Sequence, residues 1–207
     1  QGGMAAFSVL GAGAIVYTAM RLLGIGPVGT LVASGKLSER DKLLVADFVN
    51  KAADTTLGGS LTEAFRIDLA QSPVISVMGT SAVSAALSRM NRDPGKPLDP
   101  TTARELAVRE GVKAIAAGEI SPVGKGYVIS ARVLSAADGS ELVVLRETAE
   151  DDSQILKAID RLSKAVRERI GESLRSIRNN EPLAQVTTGS LEALRLYTEG
   201  VRATSAV

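Results

Sequence analysis

Apolar residues run unbroken in one part of this chain and recur periodically in the rest. From Met4 to Met20 the sequence MAAFSVLGAGAIVYTAM is apolar or small throughout, and LLGIGPVGTLVASG continues after Arg21 without a further charge. A membrane span needs ~20 mostly apolar residues. Met4 to Ile25 supplies that length, and Arg21 near its end can carry its guanidinium to the headgroups. The pattern therefore predicts one transmembrane helix within residues 1–25, with a buried helix of a soluble protein as the competing reading, since Gly11, Gly13 and several alanines dilute the run. Gln1-Gly2-Gly3 offers no basic n-region for a secretory signal peptide, so an uncleaved anchor is preferred. Gly24, Gly26, Pro27 and Gly29 oppose a continuing helix, which leaves residues 26–42 as a linker.

Beyond the linker the pattern alternates between strand and helix periods. Leu43 to Val49 (LLVADFV) is a short apolar run of the kind buried on both faces in a central strand. Ser60-Leu61-Thr62-Glu63 after Gly58-Gly59 reads as a capping box, opening a helix through Leu61, Ala64, Phe65 and Leu69 that Pro73 forbids to continue. Val74 to Met78 is a second strand. Val83, Ala86, Leu87 and Met90 recur at helical spacing. Asp99 then caps a helix with Pro100 at its first position and Gly111 past its end.

The second half reads as a meander. Val112 to Ile120, Gly126 to Leu134 and Ser140 to Thr148 are strand-like, separated by Pro122/Gly124 and Asp138-Gly139. On the middle run Tyr127, Ile129, Ala131 and Val133 share one face, with Ser130 and Arg132 on the other. Ile155, Ile159, Leu162, Val166, Ile170, Leu174 and Ile177 predict one amphipathic helix of ~25 residues, with Asp151 and Gln154 as a second capping box. The expected fold class is α/β (α+β), a mixed five-stranded sheet in the order β-α-β-α-α-β-β-β-α, in a domain over residues 43–178. A break at 179–189 leads to a helix over 190–207 with a Leu191, Leu194, Tyr197, Val201 stripe. A lone helix cannot bury its stripe, so it either docks on the domain or begins a helical repeat array.

Composition narrows the chemistry. The first 35 residues hold one charge, and the remaining 172 carry 23 Lys+Arg against 23 Asp+Glu. With no basic block, three Tyr and three Phe, the electrostatic footprint and stacking aromatics of a nucleic-acid binder are missing. The chain contains no His and no Cys, which removes the usual zinc ligand sets, cysteine nucleophiles and His-based acid–base pairs. No cofactor, metal site or catalytic residue is expected.

Gly58-Gly59-Ser60 could cradle an anion on free amides, but without a following Lys it is no Walker loop and reads as an ordinary strand–helix connection. Asp47, Glu63 and Asp68 suggest paired carboxylates for acid–base work; the cap explains Glu63 and a solvated helix face explains Asp68. Arg66 and Arg104 default to surface pairing. Lys157, Arg161, Lys164, Arg167 and Arg169 read as the exposed face of the long helix.

LLVADFVNKAADTTLGGSLTEAFRIDLAQSPVISVM, VKAIAAGEISPVGKGYVISARVLSAADGSELVVLRETAED and SLEALRLYTEGV resemble the region after the kinase domain and transmembrane helix of bacterial serine/threonine protein kinases with C-terminal tetratricopeptide repeats. The resemblance implies a single-pass inner-membrane protein whose α/β domain, similar to the N-terminal domain of TolB, lies outside the cytoplasm, with residues 190–207 beginning the repeats. The kinase itself is absent: there is no HRD, no DFG and no Gly-rich loop of the kinase pattern.

The expected function is noncatalytic sensing or protein interaction, with a protein partner or an extracytoplasmic ligand, no nucleic acid, and possible homodimerisation through small residues of the membrane helix. Asp47, Asn50, Gly58, Gly59 and Arg66 are the candidate binding residues. The alternatives are a small-ligand receptor or enzyme-like domain with a cleft at the strand carboxyl ends, favoured by a cavity lined by Asp47, Asn50 and Arg66, and the sensor region of a membrane-bound transcription regulator.

Overall fold

The computed structural model describes residues 29–187 and 190–205. The membrane-helix reading of Met4 to Ile25, and dimerisation through it, lie outside them. The strands are β1 (Lys42–Val45), β2 (Val49–Asn50), β3 (Ser76–Val77), β4 (Ala114–Val123), β5 (Gly126–Ser135) and β6 (Glu141–Ala149). The helices are α1 (Leu57–Ala70), α2 (Thr80–Arg89), α3 (Pro100–Arg109), α4 (Ile155–Ile170), α5 (Leu174–Asn179), α6 (Leu183–Val186) and α7 (Leu191–Ser205). One mixed sheet runs β3-β1-β4-β5-β6, with β2 also on β4. β1 pairs parallel with β3 and β4, and β4, β5 and β6 are antiparallel.

The sheet has six strands where five were expected, because the Leu43–Val49 run breaks. After Val45 the chain leaves the ladder, Phe48 turns its ring onto Gly118 of β4, and pairing resumes with Val49 opposite Glu119. A Cβ on Gly118 would lie only 2.2–2.5 Å from three ring atoms, so glycine is what allows Phe48 to be buried there. The ring meets Phe65 of α1 edge-on, with centroids 5.4 Å apart, a favoured aromatic geometry.

Alternation along the parallel strands sorts two cores. Leu43 and Val45 join Ala114 and Ala116 under α1 and α4, whereas Leu44, Ala46, Ile115 and Ala117 pack with α2 and α3. Ile129, Ala131 and Val133 of β5 are buried on the α4 side, and Arg132 is exposed on the other, as the period-two pattern predicts. The β4–β5 hairpin turns on Gly124 at φ +61°, suited to a two-residue turn with glycine first.

Expectations at helix ends and faces are corrected. Ser60 caps nothing: α1 begins three residues earlier, Ser60 Oγ donates to the Thr56 carbonyl, and Gly58 and Gly59 lie inside the helix. Gly58 is needed there because a Cβ would lie 2.9 Å from Phe48 O and from Asn50 Cβ. Asp151 caps only a short 3-10 turn ahead of α4. The long helix ends at Ile170, where Gly171 takes φ +140°, and α5 follows as a separate helix.

That break places Glu172 back against Arg167. Arg167 is fully buried rather than part of a solvated face, and so is Asp68. Burial pushes the Asp68 carboxyl above its ordinary range, although Ser163 and Arg167 pull the other way. At Glu172 burial opposes ionisation, yet hydrogen bonds from Arg167, Ser72 and Ser176 prevail and hold its carboxyl below the usual range.

Residues 29–41 pack on the domain. Leu31 and Leu37 are buried, and the Leu31 and Val32 amides donate to the carbonyls of Arg169 and Ile170, satisfying acceptors that the end of α4 leaves open.

Candidate functional site

A cleft of about 380 Å³ opens at the carboxyl ends of β1 and β3, between α1, α2 and the loop 93–98. Open α/β sheets place their crevices in this position. Met78, Val83, Leu87, Pro97 and Leu98 line one side, and Thr62, Glu63 and Arg66 of α1 line the other, with Thr198 of α7 at one wall.

The sheet and α1 fix each polar group in the cleft. Asp47 sits just past β1, where its Oδ2 accepts the Leu98 amide at 2.6 Å and its own amide donates to Leu98 O at 2.9 Å. This reciprocal pair ties the loop 93–98 to the sheet. Thr62 Oγ1 accepts the Phe48 amide and donates to Gly58 O, both at 2.8 Å, fastening α1 to the broken strand. Arg66 Nε reaches Glu63 Oε2 at 3.1 Å, and its Nη2 takes Glu63 Oε1 in a two-point pair. Glu63 is buried in this role, which replaces the capping role expected for it.

Three of the five candidate residues, Asp47, Gly59 and Arg66, line the cleft. Asn50 and Gly58 do not. Asn50 Nδ2 donates to Asp54 O at 2.6 Å and its Oδ1 accepts the Ala52 amide at 2.9 Å, so it shapes the loop before α1 and packs on Gly58. Sequence reasoning missed the wall from α2 and the loop 93–98. The signal available was the glycine after Met78, with Pro94 and Pro97 closing the loop. Thr198 carried no signal, since its place depends on where α7 docks.

The cleft holds no catalytic constellation. Its carboxylates are engaged by a backbone amide and by a guanidinium, and the chain has no imidazole or thiol to activate a nucleophile. Among the described residues no group of three or more acids could hold a metal ion.

α7 lies along α1. Leu194 and Thr198 are buried there, and Arg195 pairs with Asp54. The Thr56 hydroxyl, with help from Arg195, holds the Asp54 carboxyl below its ordinary range against the opposing effect of burial. A second cavity of about 270 Å³ borders α7, lined by Ile67, Val186, Thr187, Ala193, Leu194 and Tyr197.

No family model matches the chain, and no curated protein matches it. Solved structures share its fold. The C-terminal domain of LpoB from Salmonella enterica is 16% identical with a TM-score of 0.50, over 60% of this chain and 98% of that one. The same domain from Escherichia coli matches at 16% and 0.50, over 55% of this chain and 84% of that one. The lipoprotein GNA1162 from Neisseria meningitidis is 17% identical at 0.47, over 65% and 99%.

The fold shared with the LpoB C-terminal domains corrects the kinase assignment, and nothing in the comparisons supports a kinase or tetratricopeptide repeats. α7 docks on α1, the other of the two alternatives left open for it. The single-pass inner-membrane placement is corrected with the kinase assignment on which it rested, and among the described residues no helix is long and apolar enough to cross a membrane.

Proposed function

We propose that this chain carries a noncatalytic protein-interaction domain that receives a short segment of a partner in the cleft beside Asp47, Gly59 and Arg66. The observation that carries the reading is the cleft itself: one apolar wall, one polar wall, and Asp47, Glu63 and Arg66 already engaged within the fold. Such a surface recognises shape and apolar side chains and performs no proton transfer. The shared fold with LpoB C-terminal domains is consistent with a noncatalytic role.

A photo-crosslinking amino acid placed at Ser84, on the cleft wall, tests this in the intact chain in its host cell, with Lys157 as the exposed control. The expected result is one protein adduct at Ser84, none at Lys157, and loss of the Ser84 adduct when Val83→Trp fills the cleft without changing the circular dichroism spectrum. Equal labelling at both positions, or an adduct that survives the filled cleft, overturns the reading.

The enclosed volume supports a second reading, a small-ligand receptor. It predicts no protein adduct at Ser84 and a melting temperature that Val83→Trp makes insensitive to the host's small-molecule extract.

A further inference from the structure

We propose that α7 is a displaceable cover whose release joins the cleft to the second cavity in one groove along α1. This rests on the cleft being the binding site. Thr198 supplies a wall of the cleft, and Ala193, Leu194 and Tyr197 supply the wall of the cavity bordering α7. On α1 the two hollows are lined by adjacent residues, Arg66 in the cleft and Ile67 in the cavity. α7 stands between them, and both lose a wall when it leaves.

The hold on α7 is weak by construction. α4 buries Ile155, Ile159, Leu162, Val166 and Ile170 almost completely, whereas of the described α7 side chains only Leu194 and Thr198 are buried. Leu196 and Tyr197 are 66% and 54% exposed, so half of the apolar character of the helix contributes little to docking. The second cavity is open at the surface and bordered by the exposed Val186, Ala193 and Tyr197, so the α7 side chains along it gain little from docking. Arg195 reaches Asp54, but its Nε is buried with no hydrogen-bond partner, which opposes the docked state. An element with few buried contacts and an unsatisfied donor opens below the global unfolding free energy.

Hydrogen exchange of the full chain, followed by mass spectrometry, tests the cover without needing a partner. Amides of Leu191 to Thr198 are expected to exchange at least on the order of 100-fold faster than those of Ile155 to Ile170, the separation that sub-global opening gives. Leu194→Ala is expected to speed α7 exchange a further ~30-fold or more, the scale of a buried leucine cut to alanine, and to leave α4 unchanged. Ala193→Leu, which fills that cavity, is expected to slow α7 alone, and it keeps the test open if the first variant does not fold. Exchange of α7 at the rate of α4, or equal effects of the variants on both helices, overturns the proposal. A failed crosslink at Ser84 with normal α7 opening would instead sink the binding reading and leave the opening intact.

Discussion

Arg167 and Glu172 face each other in a fully buried two-point pair, Nε 2.8 Å from Oε2 and Nη2 2.7 Å from Oε1. Five residues separate them, a spacing at which a continuous helix would turn them apart. Gly171 makes the pair possible by ending α4 at φ +140°, so that Glu172 folds back along the guanidinium. A bidentate charge-assisted pair is among the stronger polar contacts a protein makes. Asp68, with one oxygen 3.4 Å from Arg167 Nη1, is the third titratable group of the cluster.

The two acids should respond differently to removal. Glu172→Ala leaves Arg167 without its two-point partner and is expected to cost about 3–5 kcal/mol. Asp68→Asn keeps an oxygen acceptor for Gln71 and Arg167 and removes a carboxyl whose ionised form burial disfavours, and is expected to cost less than Glu172→Ala. Urea unfolding of both variants measures this. The pH dependence has opposite signs. Glu172, with its folded value lowered, stabilises above its ordinary value of 4.5 and loses that contribution as pH falls through the folded value. Asp68, with its folded value raised, contributes fully below its ordinary value of 3.8 and loses that contribution as pH rises through the folded value. Wild type should therefore lose stability relative to Asp68→Asn as pH is raised from 3.

Periodicity carried most of the fold. The two-residue alternation of β5 and the cap of α3 are local signals, and both stand as read. Arg167 and Asp68 were misread for a reason that no periodicity contains: a charged residue on an amphipathic helix is assigned to water unless its partner is visible, and the partners lie 99 residues away and beyond a helix break. The Ser60 capping box failed similarly. Its residue types were right, but Gly58 had to sit inside α1 to fit over Asn50, so the helix began before the box.

Gly118→Ala should expose the strand break as a packing requirement. The added methyl would come within 2.2 Å of the Phe48 ring edge, and Phe48 is itself buried against Phe65. Overpacking of this kind costs about 1–3 kcal/mol. The double variant with Phe48→Leu should recover part of the loss relative to the sum of the singles, read as coupling in a double-mutant cycle.

Asp99 caps α3 by accepting the Thr101 and Thr102 amides and the Thr102 hydroxyl. These bonds, that of the hydroxyl first, hold its carboxyl below the ordinary range. Asp99→Ala should cost about 1 kcal/mol, the usual worth of a cap. Because the folded value is lowered, the advantage of Asp99 over Asn at this position should be present above pH 3.8 and disappear as pH falls through the folded value. Thermal melts of wild type and Asp99→Asn from pH 2 to 7 check the sign.

Asp47 separates scaffold from recognition in the cleft. Its residue type and its place at a strand's carboxyl end marked it as a binding candidate, yet its oxygen is engaged by the Leu98 amide, and Leu98 is itself buried in the core with Ala103 and Leu106. Asp47→Ala strands that amide and should cost about 1–3 kcal/mol. The loosening should be confined to the loop 93–98, since α2 and α3 keep their own apolar contacts. Asp47→Asn retains an acceptor and should fall between wild type and alanine in loop exchange. If the cleft binds through its shape, the Ser84 crosslink weakens in the same order as the loop loosens. If Asp47 contacts the partner directly, Asp47→Asn abolishes the adduct while exchange of the loop stays near wild type.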